Sequence, residues 1–177
     1  MIIINDADFR FKDTCVTVGK FDTLHIGHKA LMERMEEFRK KGLSAVVLRL
    51  EMPEKDMVSE SNIRTEKERI ELLEALGIDI YIRLPFTEQV AHMSAESFIK
   101  NILVDRLGVG AMVVGDDFRF GYERAGDIAL LKSEGEKYGF ETVVLERIKY
   151  DGQTVSSSLI KELIREGKLD EAYKMLG

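Results

Sequence analysis

The chain has 177 residues, 45% hydrophobic and 33% charged, and its 26 basic against 32 acidic side chains leave a formal net charge of −6. At roughly 100–200 residues per domain that length excludes a second full catalytic domain, and the balance of apolar and charged residues excludes a disordered chain. The acidic surplus excludes the basic footprint of a nucleic-acid partner, and the lone Cys15 excludes a disulfide framework within the chain, as expected of a reducing compartment.

The first residues, MIIINDADF, lack the basic, apolar and cleavable regions of a signal peptide. No apolar stretch reaches the roughly 18 residues that a membrane helix needs, so a cytoplasmic protein with no membrane partner is expected. The first predicted strand is CVTVG (Cys15–Gly19). It passes into HKALMERMEEFRKKG, where Leu31, Met35 and Phe38 recur at helical spacing before a stop at Gly42. The junction, GKFDTLHIGH (Gly19–His28), holds a glycine turn and then two histidines three residues apart at the start of the helix. Residues i and i+3 share a helical face, so His25 and His28 can aim at one ligand, and the free amides and dipole of a helix start favour an anion. Zinc would need further ligands that no cysteine or histidine cluster supplies. The spacing is neither the dinucleotide fingerprint GxGxxG nor the phosphate loop GxxxxGK(S/T).

LSAVVLRL (Leu43–Leu50) reads as the second strand and feeds a polar loop from Glu51 to Asn62. Thr65 and Glu68 form a capping-box pattern ahead of a helix through Ile70, Leu73 and Leu76 that stops at Gly77, and IDIYIRL is the third strand. Ser94 can cap a helix through Phe98, Ile102 and Leu103, and Val109–Gly115 is a buried fourth strand. The loop DDFRFGYERAG leads to a helix near Asp127 to Tyr138, FETVVLER supplies a fifth strand, and two helical stretches split at Gly167 close the chain. Ser156, Ser157 and Ser158 place hydroxyls and exposed amides at one of these helix starts, with Lys161 on the same early face. That is either a phosphate grip or a serine cap beside a solvated lysine.

Strand and helix alternating in this way predict a Rossmann-like, doubly wound α/β fold, with a mostly parallel sheet of about five strands and helices on both faces. Ligands of such sheets bind beyond the carboxyl ends of the strands, which singles out the loops after the first and fourth strands.

VTVGKFDTLHIGH resembles the first motif of the HxGH nucleotidyltransferase superfamily. VVGDDFRFG (Val113–Gly121) resembles the bacterial bifunctional riboflavin kinase/FMN adenylyltransferases, the FAD synthetases. EKERIELLEALGIDIYIRLPF, AESFIKNIL and VSSSLIKELIREGKLDEAYKMLG are similar to further parts of that family's adenylyltransferase domain. The resemblance thus runs from about Thr14 onward, and one nucleotidyltransferase domain over 1–177 is expected. The chain stops at Leu176–Gly177, about where the family's riboflavin kinase domain would begin, so no kinase activity is expected of it.

The resemblance implies transfer of AMP from ATP to FMN, giving FAD and pyrophosphate, with magnesium held mainly by the ATP phosphates and not by protein ligands. Attack of one phosphate on another calls for alignment and charge stabilisation, not for a nucleophilic side chain. The implied catalytic residues are His25, His28, Ser158 and Lys161. The implied nucleotide-binding residues are Gly19, Lys20, Phe21, Asp22, Gly27, Gly115, Asp117, Ser156 and Ser157. Pro53, Phe118 and Arg119 are the implied flavin contacts, and Phe120 is expected to be structural. Asp22 either orients the first loop or caps its turn, and Arg119 and Arg124 meet either phosphate or solvent.

The match departs from the family pattern at several positions. Lys20 stands where asparagine or another small polar residue is frequent, and Thr23 where glycine is common. Lys161 takes the place of the arginine in ISSTxIR, keeping the charge without the bidentate fork. RLEMPEK retains only Pro53 of a proline-containing segment. Two alternatives stay open beside FAD synthesis: a related nucleotidyltransferase with another phosphorylated acceptor, such as a cytidylyltransferase, and a flavin- or nucleotide-binding module with weakened turnover.

Overall fold

A computed structural model of the chain describes residues 1–51 and 63–177. Six strands run parallel in one sheet: β1 (Ile2–Ile4), β2 (Thr14–Gly19), β3 (Ser44–Glu51), β4 (Ile80–Pro85), β5 (Val109–Gly115) and β6 (Glu141–Leu145). Their order across the sheet is β1-β4-β3-β2-β5-β6. From β2 the chain winds outward through β3 and β4, then returns to place β5 on the other side of β2. The winding reverses between β2 and β5, and the crevice at their carboxyl ends is where this architecture receives ligands.

Two apolar layers cover the sheet because its strands alternate between faces. Cys15, Val47, Tyr81, Ala111 and Val113 face Met32, Met35 and Phe38 of helix α1 (Ile26–Arg39) and Leu73 of α2 (Glu66–Ala75). Val16, Val18, Leu48, Ile82, Met112 and Val114 lie in the opposite layer. With them pack Phe98 of α4 (Ala95–Phe98), which follows the single turn α3 (Glu88–Ala91), and Leu131 of α5 (Ile128–Tyr138). A third, smaller cluster joins α6 (Ser157–Arg165) and α7 (Leu169–Leu176) through Ile160, Leu163, Ala172 and Met175, and seats them against Ile26 at the start of α1. The two ends of the chemistry-bearing sequence thus meet at one helix start.

Several expectations need adjustment. The sheet has a sixth strand, β1, whose three residues pair only with β4 and are too short to show an alternation. Glu51 belongs to β3, opposite Pro85, and the rest of the predicted polar loop, residues 52–62, lies outside the described residues. The helix begun by Ser94 changes to π-helical turns over Ile99–Val104, with the Leu107 amide donating to the Ile102 carbonyl five residues back. A short hairpin, β7 (Lys149–Tyr150) and β8 (Gln153–Thr154), precedes α6 and turns at Asp151–Gly152, a dipeptide suited to a two-residue turn. The capping box at Thr65 and Glu68 is formed as expected.

The loop after β5 is fastened at its neck by paired backbone hydrogen bonds between Phe120 and Gly126, and at its tip by the Tyr122 amide donating to the Met93 carbonyl. Gly121 has φ of 75° and lies flat on the start of α4, where a Cβ would come 2.7 Å from the Ala95 backbone. Gly121→Ala therefore adds an unfavourable conformation to a collision and is expected to cost about 2–3 kcal/mol. Denaturant unfolding checks this, and a loss below about 0.5 kcal/mol, the range of ordinary surface substitutions, would show that the loop is not seated on α4.

Candidate active site

At the carboxyl end of β2, six residues, Lys20 to His25, carry the chain from the sheet to the first turn of α1. Phe21 and Leu24 take φ of 51° and 47°, a left-handed conformation that costs a residue with a Cβ about 1–2 kcal/mol. Both are buried. The Phe21 ring fills the space under Gly19, where a Cβ would meet it at 3.1 Å, and turns its edge to His28 at 4.9 Å between centroids.

The carbonyls of this turn point away from the crevice and onto arginines. Lys20 O accepts from Arg49 Nε at 3.0 Å and Phe21 O from Arg69 Nε at 3.1 Å. Asp22 O accepts from Arg69 Nη2 at 3.4 Å and Thr23 O from Arg64 Nε at 2.9 Å. Glu66 Oε2 accepts from both Arg49 and Arg69, and the Asp22 carboxylate lies 3.5 Å from Arg49 Nη2. On the other side, Thr23 Oγ1 shares a hydrogen bond of 2.9 Å with Ser157 Oγ, tying the turn to the start of α6.

His25 is the cap of α1 and not its first residue, and its Nδ1 accepts the His28 amide proton at 3.3 Å. That bond leaves the proton of a neutral His25 on Nε2. The two imidazoles stack, with centroids 3.7 Å apart and planes 16° from parallel. Gly27 makes this possible, since a Cβ there would press on His25 Cε1 at 3.0 Å. Burial pushes His25 down to about 4, and burial with the neighbouring His25 charge pushes His28 down to about 3. Both are neutral at pH 7 in the unliganded chain, and His28 Nδ1 is a buried polar atom with no hydrogen-bond partner. Burial also pushes the Cys15 thiol up to about 12, so it is no nucleophile at neutral pH.

Three cavities adjoin this turn. One of about 310 Å³ is lined by Gly19, Phe21, His25, Gly27, His28, Gly115, Asp117, Ser156 and Ser157, with Ala30, Leu31, Leu145 and Ile148 as an apolar end. Arg147 closes one side, its Nε 2.8 Å from Asp116 Oδ1 and its Nη1 3.9 Å from Asp117 Oδ2. The second, of about 460 Å³, is walled by Leu50, Phe86, Val90, Phe98 and Phe118, with Arg119 and Arg124 at its rim. The third, about 580 Å³ and polar, holds Lys20, Asp22, His28, Ser157, Ser158, Lys161 and Arg165.

Apart from Pro53, which lies outside the described residues, every residue singled out in the sequence lines one of these cavities. Ser156 is the N-cap of α6, accepting from the Leu159 amide at 3.2 Å. Phe120 is buried against Phe98 and Phe118, and Asp22 faces Arg49. Sequence reasoning missed Arg49, Arg64, Arg69, Glu66, Phe86, Arg147 and Arg165. Arg49 left a signal, a charge between the apolar residues Leu48 and Leu50, since a buried arginine needs partners. Among the described residues no three histidine, cysteine or carboxylate side chains converge as metal ligands, and no helix is long and apolar enough to cross a membrane.

A family model described as FAD synthetase matches residues 9–159. The bifunctional riboflavin kinase/FMN adenylyltransferase of Buchnera aphidicola subsp. Schizaphis graminum is 34% identical over 171 residues, which are 93% of this chain and 55% of that protein. The Escherichia coli K12 protein of the same description is 32% identical over 172 residues, 94% of this chain and 55% of its own length. The chain thus spans about half the length of these relatives. Among solved structures, one described as a macrolide-efflux protein from Streptococcus pneumoniae matches with a TM-score of 0.85 and 25% identity, over 100% of this chain and 60% of that one. The pantoate-beta-alanine ligase of Francisella tularensis shares the fold, with a TM-score of 0.56 at 13% identity over 97% of this chain and 86% of that one.

The buried histidines make stability depend on pH. Their folded values lie below the ordinary 6.5, so the unfolded chain binds more protons. Their contribution is complete above pH 6.5 and is lost as pH falls toward 4 for His25 and 3 for His28. The slope approaches about 1.4 kcal/mol per pH unit for each histidine. Thermal melts between pH 7 and 4 are expected to fall less steeply for a His25→Gln, His28→Asn variant than for the wild type, and equal slopes would refute neutral, buried histidines.

Proposed function

Because the chain belongs to the FAD synthetase family, we propose that it transfers the adenylyl group of ATP to the phosphate of FMN, giving FAD and pyrophosphate. The observation that carries this reading is that the 310 Å³ and 460 Å³ cavities share one wall, made of Val18, Gly19, Asp117 and Phe118. The smaller cavity, which brings the histidines and the α6 cap beside apolar side chains, suits a nucleotide. A neighbouring cavity walled by aromatic and aliphatic side chains, within the usual range of about 300–1,000 Å³, suits a planar ring. Their common wall is where the two phosphates would meet.

In this reading an oxygen of the FMN phosphate attacks the α-phosphorus of ATP, a new O–P bond forms, and the bond to the β-phosphate oxygen breaks to release pyrophosphate. His25 donates from Nε2–H to the α-phosphoryl oxygens, and the free amides at the start of α1 add fixed positive dipoles. His28 stacks behind His25 and holds it at that angle. A bound triphosphate raises both histidine pKa values by proximity of negative charge. Lys20, Ser158, Lys161 and Arg165, in the polar cavity, receive the departing pyrophosphate. Arg119 and Arg124 sit at the rim where the acceptor's phosphate enters. Magnesium would enter with ATP, carried by its phosphates, and no step here depends on it. The same reading places the enzyme in the cytoplasm.

Purified protein incubated with FMN, ATP and magnesium is expected to form FAD, resolved by chromatography, and to form none with CTP. His28→Ala is expected to lower kcat by about 10²-fold, because His25 loses the ring that holds its N–H donor in place and a misplacement of about 1 Å can cost that much. Binding of FMN and ATP without FAD would favour a binding module instead, and absence of FMN binding would favour another acceptor. Phe86 lines the acceptor cavity alone, so Phe86→Ala is expected to raise the KM for FMN about tenfold, matching about 1.4 kcal/mol of lost aromatic contact, and to leave the KM for ATP unchanged.

A further inference from the structure

We propose that Arg69, together with Arg49 and Arg64, is a positioning residue for this transfer, holding the Lys20–Thr23 turn in the one conformation that presents His25 and the start of α1 to the phosphates. The inference rests on the function proposed above, and its structural part stands apart from it.

Four successive carbonyls of the turn, Lys20 to Thr23, each accept from an arginine side chain. Among the described residues no backbone amide supplies these bonds. Buried carbonyls need such partners. Arg69 serves two neighbouring carbonyls from one guanidinium, a geometry that the planar fork permits and an ammonium does not. It is 2% exposed and Arg49 8%. Placing two cations there costs solvation that apolar side chains of similar volume would not incur, so burial by itself does not account for them. Glu66 Oε2 binds both, which fixes the two guanidiniums relative to each other.

The turn they hold is strained. Phe21 and Leu24 sit in the left-handed region without being glycines, and such conformations persist only where the surroundings over-determine them. Released from its arginines, the turn would relax toward ordinary backbone angles and carry His25 with it. Phosphoryl transfer depends on alignment, and a misplacement of about 1 Å can cost about 10²-fold in rate.

The test is Arg69→Lys, which keeps the charge beside Glu66 but cannot serve both carbonyls. It is expected to lower kcat about tenfold to hundredfold, with little change in the KM for FMN, and to speed amide exchange at residues 21–28 without altering exchange in β3 or β5. Arg39→Met is the control. It removes an arginine that is hydrogen-bonded to Asp79 and Glu36 at the opposite end of the sheet, and it should leave kcat unchanged. If Arg69→Lys fails to fold, Arg64→Gln carries the same test, since Arg64 is half-buried and makes its one bond to the turn at Thr23. A variant that melts earlier yet keeps wild-type kcat, or one that loses kcat while the turn stays protected from exchange, overturns the proposal. A wild-type protein that forms no FAD overturns the function. The proposal is then decided by exchange at residues 21–28 and by affinity for a non-hydrolysable ATP analogue, which Arg69→Lys should weaken.

Discussion

The carbonyl oxygens of Lys20 to Thr23 face guanidinium groups, and the rest of the site is arranged around that contact. A peptide unit cannot turn its carbonyl one way without directing its amide the other. With the carbonyls taken by Arg49, Arg64 and Arg69 on the α2 side, the turn is free to meet α6 through Thr23 and Ser157. It delivers His25 as the cap of α1. The cap bond then sets the tautomer of His25, Gly27 allows its ring to fold back, and His28 stacks against it. Each step constrains the next, from backbone hydrogen bonding to the place of one N–H donor.

A net charge of −6 is compatible with the anion site that the proposed function requires. Net charge sets the long-range field, which salt screens beyond about 8–10 Å. Inside the crevice the governing groups are near and fixed: the start of α1, the start of α6, and the cations Lys20, Lys161 and Arg165. The histidines are held neutral by burial in the unliganded chain, so the site does not carry two uncompensated charges while it waits for a ligand. A polyphosphate supplies the negative charge that would favour their protonation. In the proposed function the cationic character of the site would therefore be partly induced by what it binds.

Much of this was legible in the sequence, and the rest was not for identifiable reasons. The strand, glycine and HxGH order located the turn, and the alternation of strand and helix predicted the crevice between β2 and β5 that the pairing of distant strands completes. Ser156 and Ser157 were singled out because a helix start has a local signature, and Asp117 because VVGDDFRFG resembles the family's segment. Arg49, Arg64 and Arg69 were not, because their partners are backbone carbonyls at separations of 29 to 48 residues, and a carbonyl leaves no trace in the amino-acid code. Strand β1 escaped for a related reason, since its pairing with β4 is a long-range event and three residues carry no period. The stacking of His25 on His28 also differed from the helical-face picture, because a cap residue has extended backbone angles and folds its ring back over the first turn.

The shared wall between the two larger cavities follows from topology before it follows from any side chain. At the reversal of winding, β2 and β5 are neighbours whose connections leave in opposite directions, which leaves a crevice at their carboxyl ends. Gly19 and Gly115 end these strands without side chains, keeping the opening clear, and Asp117 stands two residues beyond as part of both cavities. A group bound in either cavity must approach the other across this wall, a few ångströms from the cap of α1. The adenylyl transfer proposed above would take place across it. The second cavity adds the aromatic side chains Phe86, Phe98 and Phe118 to that opening.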